Sequence, residues 1–172
     1  MRKLLVLALC FVMSVIVFGC TSSTSASSSI TSSQTAQSSA KLSDDQKQDI
    51  AKYLQLDEIV ALDNALTDAS KNLIDYVKAG NSEEIDRRFI ALSNALSDAE
   101  KVDVPAICKT LHYNKMQSAR ALIIALGEFS EALTNPSERT QKIDEATSYV
   151  DQSTEFIEAY EAEIKRLTEL AK

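Results

Sequence analysis

Glycine and proline are scarce, with three and two copies in 172 residues. Sheet-rich folds need frequent turns built from these residues, and no run here alternates apolar and polar side chains with period two. The chain is therefore expected to be all-α. Histidine is scarcer still, with His112 alone. A di-iron carboxylate site in a bundle takes Glu-x-x-His from two helices. The residue three before His112 is Lys109, so that site is excluded. A c-type haem needs Cys-x-x-Cys-His, which does not occur. One histidine also rules out the ordinary Ser-His-Asp and Cys-His triads unless Cys108 and His112 act together. No catalytic residue and no cofactor is implied, and the chain is read as a non-enzyme.

Positive charge is also in short supply. Eighteen Lys and Arg face 25 Asp and Glu, for a net charge of −7. Nucleic acid and anionic lipid headgroups both reward clustered Lys and Arg, so neither is an expected partner.

What the chain does have begins with Arg2 and Lys3, followed by an apolar run over 4–18 that only Ser14 interrupts. That is the layout of a secretory signal peptide, and the run is short of the ~20 residues that span hydrocarbon as a helix. It ends in Val17-Phe18-Gly19-Cys20. This segment resembles the lipobox of bacterial lipoproteins: a branched residue, a variable one, a small one, then cysteine. Phe18 is bulkier than that family usually has there. The resemblance covers residues 1–20 and implies that residues 1–19 are removed, that Cys20 carries lipid, and that the protein is exported and anchored. Two or three acyl chains anchor stably, since each buried CH₂ contributes about 0.8 kcal/mol. Thr21, where the enterobacterial sorting pattern places Asp for inner-membrane retention, implies an outer-membrane position facing the periplasm if the source is Gram-negative.

Loss of residues 1–19 removes Arg2 and Lys3 and no acid, which leaves a charge of −9. Of the three cysteines, Cys10 leaves with the signal and Cys20 takes lipid. Cys108 is left alone, so no internal disulfide is expected. Residues 20–40 are two-thirds Ser and Thr with no charge. Such a tract cannot offset its ordering entropy, so it is expected to be a disordered tether with ends about 25 Å apart.

Residues 41–172 are predicted to form one domain, an antiparallel four-helix bundle in up-down-up-down order, with helices over 43–79, 82–101, 104–134 and 136–171. Ser43-Asp44-Asp45-Gln46 fits a capping box, and Gly80 suits a helix C-terminus. Pro105 suits a first helical turn. Asn135-Pro136-Ser137-Glu138 is expected to cap the fourth helix. The apolar seams step by three and four: Ile59, Leu62, Leu66, Ala69, Leu73 and Tyr76; then Ile85, Phe89, Leu92, Leu96 and Ala99. The fourth helix steps from Ile143 through Ala146, Val150, Ser153, Ile157, Tyr160, Ile164 and Leu167 to Ala171. The third is broader, and its Gly127 is expected to open space near Phe129. Ala-Leu-Asp-Asn-Ala-Leu-Thr-Asp-Ala at 61–69 recurs as Ala-Leu-Ser-Asn-Ala-Leu-Ser-Asp-Ala at 91–99. The copies are equidistant from Gly80 and Asn81, as the packing seam of a hairpin would be.

No metal site is assigned, although Cys108, His112 and Met116 step i, i+4, i+8 along one face. Thiolate, imidazole and thioether would suit a soft ion such as Cu(I), but consecutive helical turns do not readily aim three side chains at one centre. A buried thiol, a histidine near a helix start and a gap-filling methionine are the plainer reading. Glu155, Glu158, Glu161 and Glu163 lie opposite the apolar seam and read as a solvated face. The functional expectation is a lipid-tethered, non-catalytic interaction module whose partner is another envelope protein. The alternative is a carrier or sensor that holds a small apolar ligand or a metal ion. No oligomeric state is implied.

Overall fold

The computed structural model describes residues 41–172. The signal-like segment, Cys20 and the Ser/Thr-rich tract lie outside the described residues. Among the described residues there are six α-helices and no strand: α1 Asp44–Leu54, α2 Asp57–Ser70, α3 Leu73–Ala79, α4 Ser82–Ala99, α5 Lys109–Thr134 and α6 Arg139–Leu170. A 3₁₀ turn, Ala106–Cys108, precedes α5. None of these helices is long and apolar enough to cross a membrane.

Local chemistry sets most of the helix ends. Ser43 Oγ accepts from the Gln46 N–H at 3.2 Å, and Gln46 Oε1 accepts from the Ser43 N–H at 3.0 Å, a reciprocal box that starts α1. Gly80 ends α3 at φ 69°, a left-handed conformation that only glycine adopts without steric cost. Asn81 then accepts from the Glu84 N–H at 3.1 Å and starts α4.

The helix expected over 43–79 is three helices. Gln55 leaves helical geometry and Leu56 is extended, with ψ 133°. Asp57 and Glu58 follow in the first turn of α2, where the exposed N–H groups favour acid side chains. The second break lies at Lys71, extended with ψ 125°, and Asn72, left-handed with φ 57°. Neither glycine nor proline marks either break. What stabilises the second one is Arg88 on α4, 3 % exposed. Its Nη1 donates to the Asp68 carbonyl and, at 2.6 Å, to the Lys71 carbonyl. Those are carbonyls that a helix end leaves without partners. The Arg88 guanidinium also lies 4.6 Å from the Tyr76 ring centroid and bonds Glu84 Oε1 at 3.1 Å.

Two other starts differ from expectation. Pro105 precedes the 3₁₀ turn, and α5 begins only at Lys109. The α6 helix begins at Arg139 without a side-chain cap, because Asn135 Oδ1 accepts from Ser137 Oγ at 2.8 Å instead.

The α5 helix is the hub. It packs most extensively on α6 and also on α4, while α4 packs on α2. Contacts step down α5 as they step up α6: Glu128 to Lys142 at 2.7 Å, then Ser118 to Ser153 at 2.9 Å, then Lys115 to Tyr160. The repeated leucines Leu62, Leu66, Leu92 and Leu96 are all buried between α2 and α4 and their neighbours. Phe89, expected in that seam, is 37 % exposed. It sits at the α4–α5 edge, and its ring borders the position beside Gly127 that Phe129 was expected to border. Phe129 itself is buried.

Candidate functional site

A cleft of about 370 Å³ opens where the end of α4, the following loop and the first turns of α5 meet. Its lining includes Glu100, Lys109, His112, Tyr113, Met116 and Arg120. Arg120 Nη2 and Glu100 Oε1 pair across it at 2.6 Å. Tyr113 is exposed at its rim and packs edge-on to Phe156 of α6, with ring centroids 6.4 Å apart. Three of these residues, His112, Met116 and Arg120, recur at i, i+4, i+8 because α5 turns one face toward the cleft.

A polar cluster drawn from four elements adjoins the cleft at His112, with Tyr53 and Lys115 buried, His112 and Tyr160 half-buried and Asp63 exposed. The Tyr53 hydroxyl, at the end of α1, shares a hydrogen bond with His112 Nδ1 at 3.3 Å. Burial pushes the His112 imidazole below its ordinary pKa, against the opposing pull of the Glu100 carboxylate. Lys115 is 3 % exposed. Its ammonium donates to Asp63 of α2 and lies 4.3 Å from the ring centroid of Tyr160 on α6. Burial lowers the Lys115 pKa, and the Asp63 carboxylate partly restores it. Burial likewise pushes the Tyr53 and Tyr160 hydroxyls well above their usual range.

The Cys108, His112 and Met116 set is divided. His112 and Met116 line the cleft, whereas Cys108 does not. The thiol is fully buried, and burial, with the Asp49 charge, pushes it up to about 11. The cleft therefore brings together an imidazole and a thioether, and the Cys108 thiol is not part of its lining. Among the described residues, no group of three or more His, Cys, Asp and Glu side chains is placed to hold a metal ion.

Sequence reasoning missed Lys115, Asp63, Tyr53 and Arg88. The available signal was a charge on an apolar stripe. Arg88 falls three after Ile85 and four before Leu92, and Lys115 falls four after Leu111 and seven before Leu122. Such positions point into a core, so a charged residue there must find a partner across it.

The cluster sets an alkaline limit on stability. Cys108, Tyr53 and Tyr160 are held neutral in the folded state above the pH at which the unfolded chain ionises them. Their contribution is complete below pH 9 and is lost as pH rises through 9 to 11 and beyond. Lys115 works the other way, because its lowered pKa makes stability rise with pH just below 10.5. Between pH 9 and 10 Cys108 and Lys115 oppose one another, and above 10, where the unfolded tyrosines ionise, three groups oppose one, so the urea midpoint is expected to fall above about pH 10. A midpoint that stays flat to pH 11 would show that these groups are solvated.

No protein-family model, curated protein or solved structure matches this chain.

Proposed function

We propose that this chain is a lipid-anchored envelope protein whose helical domain is a non-catalytic docking module for another protein. The observation that carries the reading is how side chains are partitioned over 41–172. Cys108, Lys115 and Tyr53 are buried, and His112 is half-buried with its Nδ1 bonded to the Tyr53 hydroxyl, while Phe89, Ile90, Tyr113 and Ile124 are exposed. Exposed aromatic and branched side chains on a rigid helical frame are what a protein partner buries. The frame itself is read as a four-helix bundle in up-down-up-down order, with α1 to α3 acting as one broken rod. Support comes from the tight turn at Gly80 and Asn81, the short connection over 135–138, and the opposed stepping of α5 and α6.

The anchor reading rests on Val17-Phe18-Gly19-Cys20, with an outer-membrane, periplasm-facing position if the source is Gram-negative. Growth of expressing cells with an alkyne palmitate analogue, followed by membrane fractionation, tests it. Wild-type protein is expected to carry label and sediment with membranes, and Cys20→Ala is expected to lose both. A Cys20→Ala protein that keeps its label overturns the assignment.

A second reading, a carrier for a small ligand or metal ion, draws on the cleft, whose volume reaches the ~300 Å³ typical of small-molecule sites. Native mass spectrometry of protein purified without chelator separates the two. A bound non-protein mass lost on Met116→Ala and His112→Ala substitution would favour the carrier, and bare protein would favour docking.

A further inference from the structure

The exposed face of α5 carries a spacing that reads the same in both directions. Arg120, Ile124, Gly127 and Glu131 are separated by four, three and four residues. At about 100° per residue they fall within an arc of roughly 60°. Ile124 is 43 % exposed, and the side chains of Arg120 and Glu131 are 47 % and 61 % exposed. Gly127 forms a notch between them. A Cβ there would meet one atom within 4 Å, a ring carbon of Phe89 at 3.9 Å. The helix thus presents, in order, a cation, an apolar knob, a notch and an anion.

The geometry points to a second copy of this chain as the occupant of this face. A two-fold axis between Ala125 and Leu126 sets α5 antiparallel to its counterpart. Ile124 then fills the Gly127 notch of the second copy, and Arg120 meets Glu131 of the second copy. Symmetry makes each contact twice, as an isologous pairing requires. Phe89, 37 % exposed on α4, borders the seam beside Gly127, and Ile90, 57 % exposed, follows it in sequence on α4. Glu100 and Lys142 now neutralise Arg120 and Glu131. The Arg120–Glu100 pair is exposed and holds weakly, and Lys142, 18 % exposed, keeps Glu128 and Glu145 when Glu131 turns to a second copy. Two charges of the same sign at 120 and 131 would repel across the axis, and the opposite signs present attract.

The seam from Arg120 to Glu131 is about 16 Å long, short for the ~1,200 Å² that stable pairs bury. Association is therefore transient in dilute solution and promoted where copies share one surface. The inference rests on the docking reading and goes beyond it, adding a second copy of this chain as the occupant of the α5 face beside the other protein that reading names.

The test uses the full chain in cells, with a benzophenone amino acid replacing Ile90 and adducts identified by mass spectrometry after irradiation. The expected product has twice the chain's mass and contains this chain only. Its yield should fall about five-fold or more in Gly127→Leu, which fills the notch without disturbing the helix. It should fall likewise in Arg120→Glu and in Glu131→Arg, and recover when those two are combined. Circular dichroism of each variant checks folding, and Gly127→Leu is expected to raise the thermal midpoint because glycine weakens a helix interior. An adduct with a different protein overturns self-association and leaves the docking reading in place. Irradiation that yields no protein adduct overturns both.

Discussion

Replacing Arg88 with alanine is expected to lower the free energy of unfolding by about 3–5 kcal/mol, read from the urea midpoint at constant slope. The guanidinium is 3 % exposed and closes the end of α2 by donating to the carbonyls of Asp68 and Lys71. Without it those carbonyls lose charged donors, each worth about 1.5–3 kcal/mol. The Tyr76 ring loses the cation 4.6 Å from its centroid, and Glu84 loses one of the two arginines that hold its carboxyl down near about 2. The break at Lys71 and Asn72 would then be held only by its backbone bonds, from the Asp75 and Tyr76 N–H groups to the Asn72 carbonyl at 3.0 and 3.1 Å and from the Lys71 N–H to the Thr67 carbonyl at 3.1 Å. Arg88→Lys is expected to recover less than half, because an ammonium lacks the planar fork that spans two carbonyls. A loss within about 0.5 kcal/mol, the range of ordinary surface changes, would mean that the break at Lys71 and Asn72 is set without Arg88.

Asp63→Ala is expected to cost about 2–3 kcal/mol at pH 7, whereas Lys115→Met is expected to be neutral or stabilising. The asymmetry follows from burial. Lys115 is 3 % exposed and Asp63 about half exposed, so removing the acid strands a buried ammonium while removing the lysine strands nothing costly. Breaking a buried pair costs about 3–5 kcal/mol, discounted here because solvent reaches Asp63. Methionine keeps most of the volume and an apolar contact with the Tyr160 ring. Proton linkage gives a second signature. Burial already lowers the Lys115 pKa, and loss of Asp63 lowers it further. The unfolded chain then binds the proton more tightly over a wider range, so stability of Asp63→Ala rises with pH more steeply than that of wild type. The gap between the two should close as pH rises toward the wild-type Lys115 pKa, below 10.5. Cys108 titrates in both proteins and cancels in the difference, and the tyrosines, whose pKa Asp63 helps to raise, ionise in the unfolded chain only around pH 10 and above. A gap that stays constant from pH 7 to 10 would exclude Lys115 as its source.

These two sites share a design. In each, a cation on an otherwise apolar stripe reaches across to a neighbouring helix and fixes how that helix sits. Arg88 ties α4 to the α2–α3 junction, and Lys115 ties α5 to α2 and α6. Polar cross-links of this kind restrict a helical core to one arrangement more than they stabilise it.

How much was legible depends on the range over which each cause acts. The all-α class, the capping box at Ser43, the turn at Gly80 and Asn81, and the buried leucines at 62, 66, 92 and 96 follow from residues three or four apart, because helix periodicity and end-capping are local. The order of Arg120, Ile124, Gly127 and Glu131 is written in the chain, but its exposure was not legible, since Ile124 sits in an apolar run that reads as buried and is 43 % exposed. The breaks near Gln55 and Lys71 are different. An uncapped helix end is costly by itself, and what offsets the second one is a guanidinium 17 residues further along. The exposure of Phe89 was equally hidden, since it depends on which edge of α4 meets Gly127. The division of Cys108 from His112 and Met116 came from where the 3₁₀ turn joins α5. Local propensity determined which residues are helical. Where those helices stop, and which charges they bury, was decided by partners distant in sequence, because an orphaned carbonyl or a buried ammonium is tolerable only beside its counter-group.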